Sequence, residues 1–182
     1  MTLAAEACAR GGIDARAAVD AGAHMFSATT FWPCRRPNDL LISNGLASMG
    51  FALPAAIAAA LAEPARPAIA FTGDGGLLMC LGELATAASA GAKVVTVVFN
   101  DGSLSLIDLK KGRRSLPDGG VGWAHAGLAE AARGLGCAGF TVETVAEYRA
   151  ALDQALAMPG PALIDVRIDA AGYPDQLRAA RG

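Results

Sequence analysis

The chain has 182 residues, of which 53% are hydrophobic and 18% charged, and its formal net charge is −2. This composition is typical of a globular domain with a sizeable core, and the charge gives no reason to expect nucleic acid or an anionic membrane as a partner. The four cysteines form no CxxC pair, which argues against a zinc site or a disulfide framework. Because the N-terminus also lacks the basic-then-apolar order of a signal peptide, we expect a cytoplasmic protein with reduced thiols.

The first half of the chain alternates predicted helices and strands. The run 40–62 contains no charged residue, so a membrane span has to be weighed against a buried strand, a turn and a core helix. Ser43, Asn44, Pro54 and the many alanines of this run favour the buried elements. The predicted elements are a helix over Thr2–Arg10, a weak strand over Ala15–Val19, a short helix over His24–Phe31, a strand over Leu40–Ser43 and a helix over Phe51–Ala62.

The centre of the chain predicts one βαβ unit. Strands are expected over Ala68–Thr72 and Lys93–Phe99, on either side of a helix from Leu77 to about Ala90. A crossover of this length makes the two strands parallel. Asp74 and Asn100 then follow the carboxyl ends of both strands, at the edge where open α/β sheets bind ligands.

The turn before this helix is Gly73-Asp74-Gly75-Gly76. Its glycines let the backbone approach a ligand and offer free N–H groups to a phosphate. A carboxylate here would repel that phosphate unless a cation lay between them, and the oxygens of Asp74 and Asn100 suit Mg²⁺. The pattern favours a metal–diphosphate site; the alternative is a tight turn followed by a turn-forming Asn-Asp-Gly.

The second half predicts a loop and then further alternation. Lys110–Gly122, with its KKGRR cluster and glycines, is predicted as a mobile loop with a solvated basic face. Residues after about 169 are predicted as a weakly ordered polar tail. The other predicted elements are a helix over Trp123–Leu135, a strand over Ala138–Val142, a helix over Val145–Met158 and a strand over Ala162–Ile168. We therefore expect residues 1–182 to form a single α/β domain, with a doubly wound, mainly parallel sheet of about six strands flanked by helices.

Two segments give the sequence a family resemblance. Gly-Asp-Gly, followed after about two dozen residues by Asn, resembles the motif of thiamine-diphosphate enzymes that act on 2-oxo acids. The segments GDGGLLMCLGELATA and SNGLASMGFALPAAIAAAL are most similar to the acetolactate synthase branch. The resemblance runs from about Val19 to Ile168 and implies the C-terminal diphosphate-binding domain, with thiamine diphosphate and Mg²⁺ as cofactors.

The resemblance also implies roles for individual residues. Met49 would hold the cofactor bent, and the backbone of Ala47 would accept a hydrogen bond from its aminopyrimidine. The family commonly has glycine at position 47, and the alanine found here fits only if its φ is negative. The family has a polar residue at position 23, where this chain has Ala23. The metal ligands would be Asp74, Asn100 and the carbonyl of Gly102. The implied cofactor-binding residues are Gly22, Ala23, His24, Ala47, Met49, Gly73, Asp74, Gly75, Gly76, Asn100, Gly102 and Leu104.

The reaction implied is loss of CO₂ from a small-molecule 2-oxo acid, followed by protonation or by ligation to a second carbonyl. In the family, the glutamate that activates the cofactor comes from a pyrimidine-binding domain, so no catalytic residue is assigned in this chain. We expect that domain on a second chain of a hetero-oligomer, or this chain to be a fragment. Phe99 replaces an asparagine that is usual in the branch and leaves Asn100 intact. Ser105 and Leu109 also differ from the usual acetolactate synthase residues and predict an altered substrate pocket.

Three alternatives stay open at this point. The chain could be the β subunit of a split sulfopyruvate- or phosphonopyruvate-type decarboxylase. It could be a non-catalytic module that binds a cofactor or a partner chain. It could also be a nucleotide-binding dehydrogenase domain, although no GxGxxG follows a predicted strand.

Overall fold

The computed structural model describes residues 1–112, 114, 117 and 119–179. Its strands are β1 (Arg16–Val19), β2 (Leu40–Ile42), β3 (Ala68–Gly73), β4 (Val94–Asn100), β5 (Ala138–Val142) and β6 (Ala162–Arg167). Its helices are α1 (Thr2–Arg10), α2 (Ala23–Phe31), α3 (Ala52–Ala62), α4 (Asp74–Met79), α5 (Glu83–Ser89), α6 (Ser105–Gly112), α7 (Leu128–Gly134), α8 (Val145–Ala157) and α9 (Tyr173–Ala179). The strands form one parallel sheet in the order β2-β1-β3-β4-β6-β5, which confirms the predicted fold class.

Side chains of the central strands alternate between two buried layers. Ile69 and Phe71 of β3 join the layer that contains residues of α1, α2 and α8. Ala68 and Ala70 join the opposite layer, with residues of α3, α5 and α7. Because successive strand residues point to opposite faces, a sheet covered by helices on both sides needs apolar residues at nearly every position. This explains the mainly apolar sequences of β3 and β4, in which Thr72 and Thr96 are the exceptions before the strand ends.

The order of the strands reverses between β1 and β3. From β1 the chain passes to β2 on one side, and it then returns to β3 on the other side of β1. The connections that leave the carboxyl ends of β1 and β3 therefore diverge and leave a crevice between them. Ligands of open α/β sheets bind at such a reversal.

The helix predicted from Leu77 to Ala90 is wrong in its bounds, because two helices occupy this stretch. The first begins at Asp74, and the second begins at Glu83 after a turn in which the Glu83 N–H donates to the carbonyl of Cys80. Gly82 lies in that turn, where its low helix propensity favours a break.

The helix predicted over Trp123–Leu135 begins only at Leu128. The reason is a backbone contact that is remote in sequence: Trp123 N–H donates to the carbonyl of Gly102, and Gly122 forms an antiparallel bridge with Ser103. The mobile loop predicted over Lys110–Gly122 begins inside α6, and its residues 113, 115, 116 and 118 lie outside the described residues.

The weakly ordered tail predicted after about residue 169 is helical as far as the structure describes it. A 3₁₀ turn over Ala170–Gly172 leads into α9. Leu177 is buried there, and the Gln176 amide donates to the hydroxyl of Ser27 in α2. Burial of an apolar side chain gives this segment an order that its polar composition does not suggest.

The uncharged run 40–62 folds as predicted into β2, a turn and α3. Among the described residues, no helix combines the length and the apolar character needed to cross a bilayer.

Candidate functional site

A cleft of about 290 Å³ lies at the carboxyl edge of the sheet, where the connections that follow β1 and β3 diverge. It is lined by residues that follow β1, β3 and β4, together with the turn before α3. The structure brings the predicted cofactor-binding residues together here, with Asn100 and Gly102 beneath its floor. Those that line the cleft are Gly22, Ala23, His24, Ala47, Met49, Gly73, Asp74, Gly75, Gly76 and Leu104.

The turn that carries Met49 is attached to the sheet by Asp20, a residue that the sequence did not single out. The buried carboxylate of Asp20 accepts the N–H groups of Gly50 at 2.9 Å, of Phe51 at 2.7 Å and of Ala52 at 2.7 Å. It also accepts the hydroxyl of Thr72 at 2.7 Å. With four donors and the N-terminus of α3 facing it, the carboxylate is satisfied without a basic partner among the described residues.

The glycines of the Gly-Asp-Gly-Gly turn are required by close contacts. A Cβ atom on Gly76 would lie 2.2 Å from Oδ2 of Asp20 and 2.7 Å from Oγ1 of Thr72. A Cβ atom on Gly75 would lie 2.6 Å from Cδ2 of Leu104. Glycine at 76 therefore makes room for the Asp20 cluster, while Leu104 covers the backbone of Gly75.

Asp74 is buried beneath the cleft and lacks a basic partner among the described residues. Its carboxylate accepts the N–H groups of Gly75 and Gly102, each at 3.0 Å. Burial raises the pKa of Asp74, and the nearby negative charge of Asp101 raises it further. A divalent cation would offset both effects, since an adjacent positive charge favours the ionised carboxylate.

Asn100, the second predicted metal ligand, is fully buried at the end of β4. Its Nδ2 donates to Oδ1 of Asp165 at 2.8 Å, and its Oδ1 lies 3.1 Å from Nδ1 of His125. The amide oxygen of Asn100 therefore points away from Asp165. Gly102, whose N–H binds Asp74, completes the predicted metal-binding set at this floor.

His24 is buried at the start of α2 and lines the cleft. Burial lowers the pKa of His24 to about 4, although the neighbouring Asp20 opposes this effect. Among the described residues, its Nε2 has no hydrogen-bond partner. In the tautomer that carries its proton on Nε2, the neutral imidazole donates a hydrogen bond to a phosphate oxygen.

Gly22 determines where the ring of His24 lies. A Cβ atom at Gly22 would meet Cε1 of His24 at 2.5 Å. The ring also stacks on Phe99, with centroids 5.8 Å apart. Phe99, which replaces an asparagine usual in the family, thus packs against the predicted phosphate ligand and also lines the cleft.

Alanine at position 47 is expected to fit only if its φ is negative, and the structure does not show a negative φ. Its φ is +51°, in the left-handed region that favours glycine, and not negative. The turn is held in this form because the Ala47 N–H donates to the carbonyl of Ser43 at 2.9 Å. Alanine at this position therefore carries backbone strain that the usual glycine of the family would not.

Sequence reasoning missed Tyr173, Trp123 and His125. Tyr173 begins α9 and lines the cleft, and burial raises the pKa of its hydroxyl, with the charges of Asp101 and Asp74 adding to the effect. Trp123 and His125 lie beside the site, where the Trp123 N–H donates to the carbonyl of Gly102 and Nδ1 of His125 lies 3.1 Å from Oδ1 of Asn100. No local sequence pattern predicts these contacts, because each joins segments that are distant in sequence.

The residues at the cleft fit a metal–diphosphate group on three structural observations. The first is the buried carboxylate of Asp74, which has no basic partner among the described residues. The second is the buried Nε2 of His24, which has no hydrogen-bond partner among them. The third is Gly75, where a side chain would displace Leu104. The hard oxygen donors of the floor suit Mg²⁺.

Comparison with known proteins identifies the family of the chain. Residues 20–166 match the family model described as thiamine pyrophosphate enzyme, C-terminal TPP binding domain. The large subunit of acetolactate synthase isozyme 1 from Escherichia coli (strain K12) is 37% identical over 154 residues, which covers 83% of this chain and 27% of the relative. Acetolactate synthase from Bacillus subtilis (strain 168) is 30% identical over 161 residues, which covers 88% of this chain and 28% of the relative.

Among solved structures, benzoylformate decarboxylase from Polynucleobacter necessarius superposes with a TM-score of 0.80 at 20% identity, over 91% of this chain and 32% of that one. That likeness shows the fold alone. The chain spans about a quarter of the length of the curated relatives it matches. With the match over residues 20–166, the chain belongs to the thiamine-diphosphate-dependent enzymes, as a C-terminal cofactor-binding domain of the acetolactate synthase-like branch.

Proposed function

We propose that this chain binds the diphosphate of thiamine diphosphate through Mg²⁺, as one part of a 2-oxo acid decarboxylase or carboligase. The observation that carries the proposal is the buried carboxylate of Asp74, which lies without a basic partner among the described residues at the floor of the cleft. A buried negative charge of this kind is stabilised by a bound cation. Both cofactors are the usual ones of the family to which the chain belongs.

In this proposal, the two ends of the cleft bind different parts of the cofactor. Asp74, Oδ1 of Asn100 and the carbonyl of Gly102 hold the metal, while the backbone of Gly75 and Gly76, with Gly22, Ala23 and Nε2 of His24, holds the phosphate oxygens. Met49 and the backbone of Ala47, with Leu104, hold the rings. The hydrogen bonds that Asp20 accepts from residues 50–52 hold the Met49 turn at a fixed position relative to the metal-binding end of the cleft.

When bound, thiamine diphosphate supplies a nucleophilic carbon that adds to the carbonyl of a 2-oxo acid and accepts the electrons released as CO₂ leaves. The residues of this chain bind and orient that group and exclude water from one side of it. Among the described residues, the acids that line the cleft are Asp74 and Asp101, both at the metal end. The carboxylate that activates the cofactor at its far end is therefore expected from a pyrimidine-binding domain outside these residues.

Exposed apolar side chains beside the Met49 turn support such a partner. Leu46 is 89% exposed and Met79 63% exposed, and Met79 packs against Gly50. Apolar surface of this kind next to a cleft is typical of an interface. We propose that a pyrimidine-binding domain, on another chain or on another part of a longer one, covers it in an oligomer.

The substrate class follows from charge. Lys110 lines the cleft together with Ser105, and a cation there favours an anionic substrate such as a 2-oxo acid. This placement keeps the sulfopyruvate- and phosphonopyruvate-type alternatives open, because their substrates carry an additional anionic group. Leu109, predicted to change the pocket, is not among the residues that line the cleft. Free cysteines are consistent with action in the cytoplasm, which we also propose.

Calorimetric titration with thiamine diphosphate, with and without Mg²⁺, tests the binding proposal. We expect binding only with the divalent ion, and loss of at least tenfold in affinity in Asp74→Ala and Asn100→Leu. Asp153→Ala, a surface change distant in sequence from the cleft residues, serves as the matched control. Equal affinity in all variants would exclude the assigned metal site.

Catalysis is tested by decarboxylation assays before and after a pyrimidine-binding domain is added. Activity only in the mixture supports the proposed division of labour. Cofactor binding without activity in any mixture would instead favour a non-catalytic binding module.

A further inference from the structure

We infer that the imidazole of His125 is a fourth protein ligand of the proposed metal site, and that this nitrogen donor shifts the site from Mg²⁺ towards transition-metal ions such as Mn²⁺ and Co²⁺. The inference rests on the proposed function, since it concerns the same ion. It follows from the position of His125 relative to Asn100 and Gly102.

His125 lies against both of these predicted ligands. Its Nδ1 is 3.1 Å from Oδ1 of Asn100, and its Nδ1 and Cε1 lie 3.5 Å and 3.4 Å from the position of a Cβ atom on Gly102. The Nδ1 edge of the imidazole therefore lies beside the amide oxygen of Asn100 and the backbone of Gly102. A Cβ atom at position 102 would also lie 2.9 Å from the carbonyl oxygen of Trp123, so Trp123 and His125 both pack closely against the backbone of Gly102.

The orientation of the Asn100 amide is fixed from its other side. Asp165 is fully buried, and its Oδ1 accepts the Nδ2 hydrogen of Asn100 at 2.8 Å. Arg167 holds the second oxygen of Asp165 in an ionic contact of 3.0 Å. Because a carboxylate attracts only the NH₂ group of the amide, Asn100 presents its oxygen, and not its nitrogen, to His125.

A separation of 3.1 Å between Nδ1 and Oδ1 suits a shared ion as well as a hydrogen bond. Two donors that each lie about 2.1 Å from an octahedral ion at right angles are separated by roughly 3.0 Å. With the imidazole proton on Nε2, the lone pair of Nδ1 is available to the ion. The carbonyl of Gly102 accepts one hydrogen bond, from Trp123 N–H at 2.9 Å, and keeps its second lone pair for the same ion.

The segment around His125 is held where this role needs it. The hydrogen bond between Trp123 and Gly102, and the bridge between Ser103 and Gly122, fix residues 122–123 beside the end of β4. His125 itself is exposed, so core packing does not account for its imidazole at this position. A hydrogen bond to Asn100 alone is the competing explanation, and the experiment below separates the two.

The consequence concerns metal choice. A site built from oxygen donors suits Mg²⁺, whereas imidazole donors raise affinity for Mn²⁺, Co²⁺ and Ni²⁺. We therefore expect Co²⁺ to support binding of thiamine diphosphate at a lower concentration than Mg²⁺ does. His125→Gln keeps a polar side chain that can hydrogen-bond Asn100 and removes the nitrogen donor, so it should reduce the advantage of Co²⁺ over Mg²⁺ about tenfold.

Pulsed electron paramagnetic resonance of the full chain with Mn²⁺ and thiamine diphosphate tests the ligand directly. Coupling characteristic of a directly bound imidazole nitrogen is expected in the wild-type chain and should be lost in His125→Gln. Asp153→Ala, which removes an exposed ion pair with Arg10 and no predicted cofactor contact, is the control and should keep the coupling in the Mn²⁺ complex. Circular dichroism confirms that the variants are folded.

The outcomes separate the inference from the proposed function. If Mn²⁺ and the cofactor bind without nitrogen coupling, or if the coupling persists in His125→Gln, His125 is not a ligand and the proposed function is unaffected. If neither Mn²⁺ nor Mg²⁺ supports cofactor binding, the metal site itself is wrong and the inference fails with it.

Discussion

Oδ1 of Asp20 lies 2.7 Å from the backbone nitrogen of Ala52, the first residue of α3. The same oxygen accepts the N–H of Phe51, and the other oxygen accepts the N–H of Gly50. A single buried carboxylate at the end of β1 thus caps a helix and fixes the turn that carries Met49. This contact couples the stability of the fold to the geometry of the cleft.

Replacement of Asp20 by alanine is predicted to destabilise the chain by about 3 kcal/mol or more, because two buried and two partly buried donors lose their acceptor, at about 1–3 kcal/mol for each buried one. Asp20→Asn should be milder, since an amide oxygen replaces one of the two carboxylate oxygens. The measurement is the free energy of unfolding from urea titration.

Asp153→Ala is the matched control, because Asp153 forms an exposed ion pair with Arg10 at 2.8 Å. Loss of such a surface pair is expected to change the free energy of unfolding by less than about 1 kcal/mol. Similar values for Asp20→Ala and Asp153→Ala would show that the Asp20 cluster does not stabilise the fold.

The glycine turn offers a second prediction. Gly76→Ala places a Cβ atom 2.2 Å from Oδ2 of Asp20, so the cluster or the start of α4 has to move, and we expect a loss of about 2 kcal/mol or more. Gly45→Ala is the control, since a Cβ there meets nothing within 4 Å among the described residues. Thermal unfolding of both variants gives the comparison, and an unchanged midpoint for Gly76→Ala contradicts the prediction.

The sequence predicted the parallel sheet well because its strands are short apolar runs between glycine-rich turns. A short apolar run such as β4, which begins after a turn and ends at Asn100, can be predicted as a strand from its local sequence alone. The predicted boundaries were wrong where long-range contacts determine them. Trp123 lies outside α7 because its N–H donates to the carbonyl of Gly102, and α9 forms where Leu177 is buried.

The same distinction holds for the candidate site. Residues inside the two motifs were predicted, since glycine, aspartate and asparagine have recognisable roles at strand ends. Asp165 and His125 were not, because their relation to Asn100 depends on the pairing of β4 with β6 and on the path of residues 121–125. The sign of φ at Ala47 likewise depends on a turn hydrogen bond that residue type does not specify.

His24 predicts a pH dependence of stability in the cofactor-free chain. Burial lowers the pKa of His24 from 6.5 to about 4, so the unfolded chain binds the proton more readily. The contribution of His24 is therefore full above about pH 6.5 and is lost as the pH falls towards 4, by up to about 3 kcal/mol. The free energy of unfolding, measured from pH 4 to 7, should rise less steeply in His24→Gln than in the wild-type chain. Parallel curves would contradict the buried, neutral state of His24.

The last prediction concerns Lys110, which is exposed and lines the cleft beside Ser105 and Ile107. In the enzyme assembled with a pyrimidine-binding domain, Lys110→Met should raise KM for a 2-oxo acid with a second anionic group, such as sulfopyruvate, by up to about fivefold. The effect on pyruvate should be smaller, because pyruvate carries one negative charge. The difference should shrink in high salt, since exposed charges are screened.

Lys111→Met is the matched control for this charge. The Lys111 ammonium donates to the carbonyl of Gly119 at 3.1 Å and lies 3.9 Å from Asp108, and Lys111 does not line the cleft. Both variants lose one positive charge from the same helix, so an effect of overall charge would appear equally in each. A selective rise in KM for the doubly charged substrate in Lys110→Met alone would assign the substrate side of the cleft to α6. An equal response, or none, would show that Lys110 does not contact the substrate and would remove the argument for a doubly anionic one.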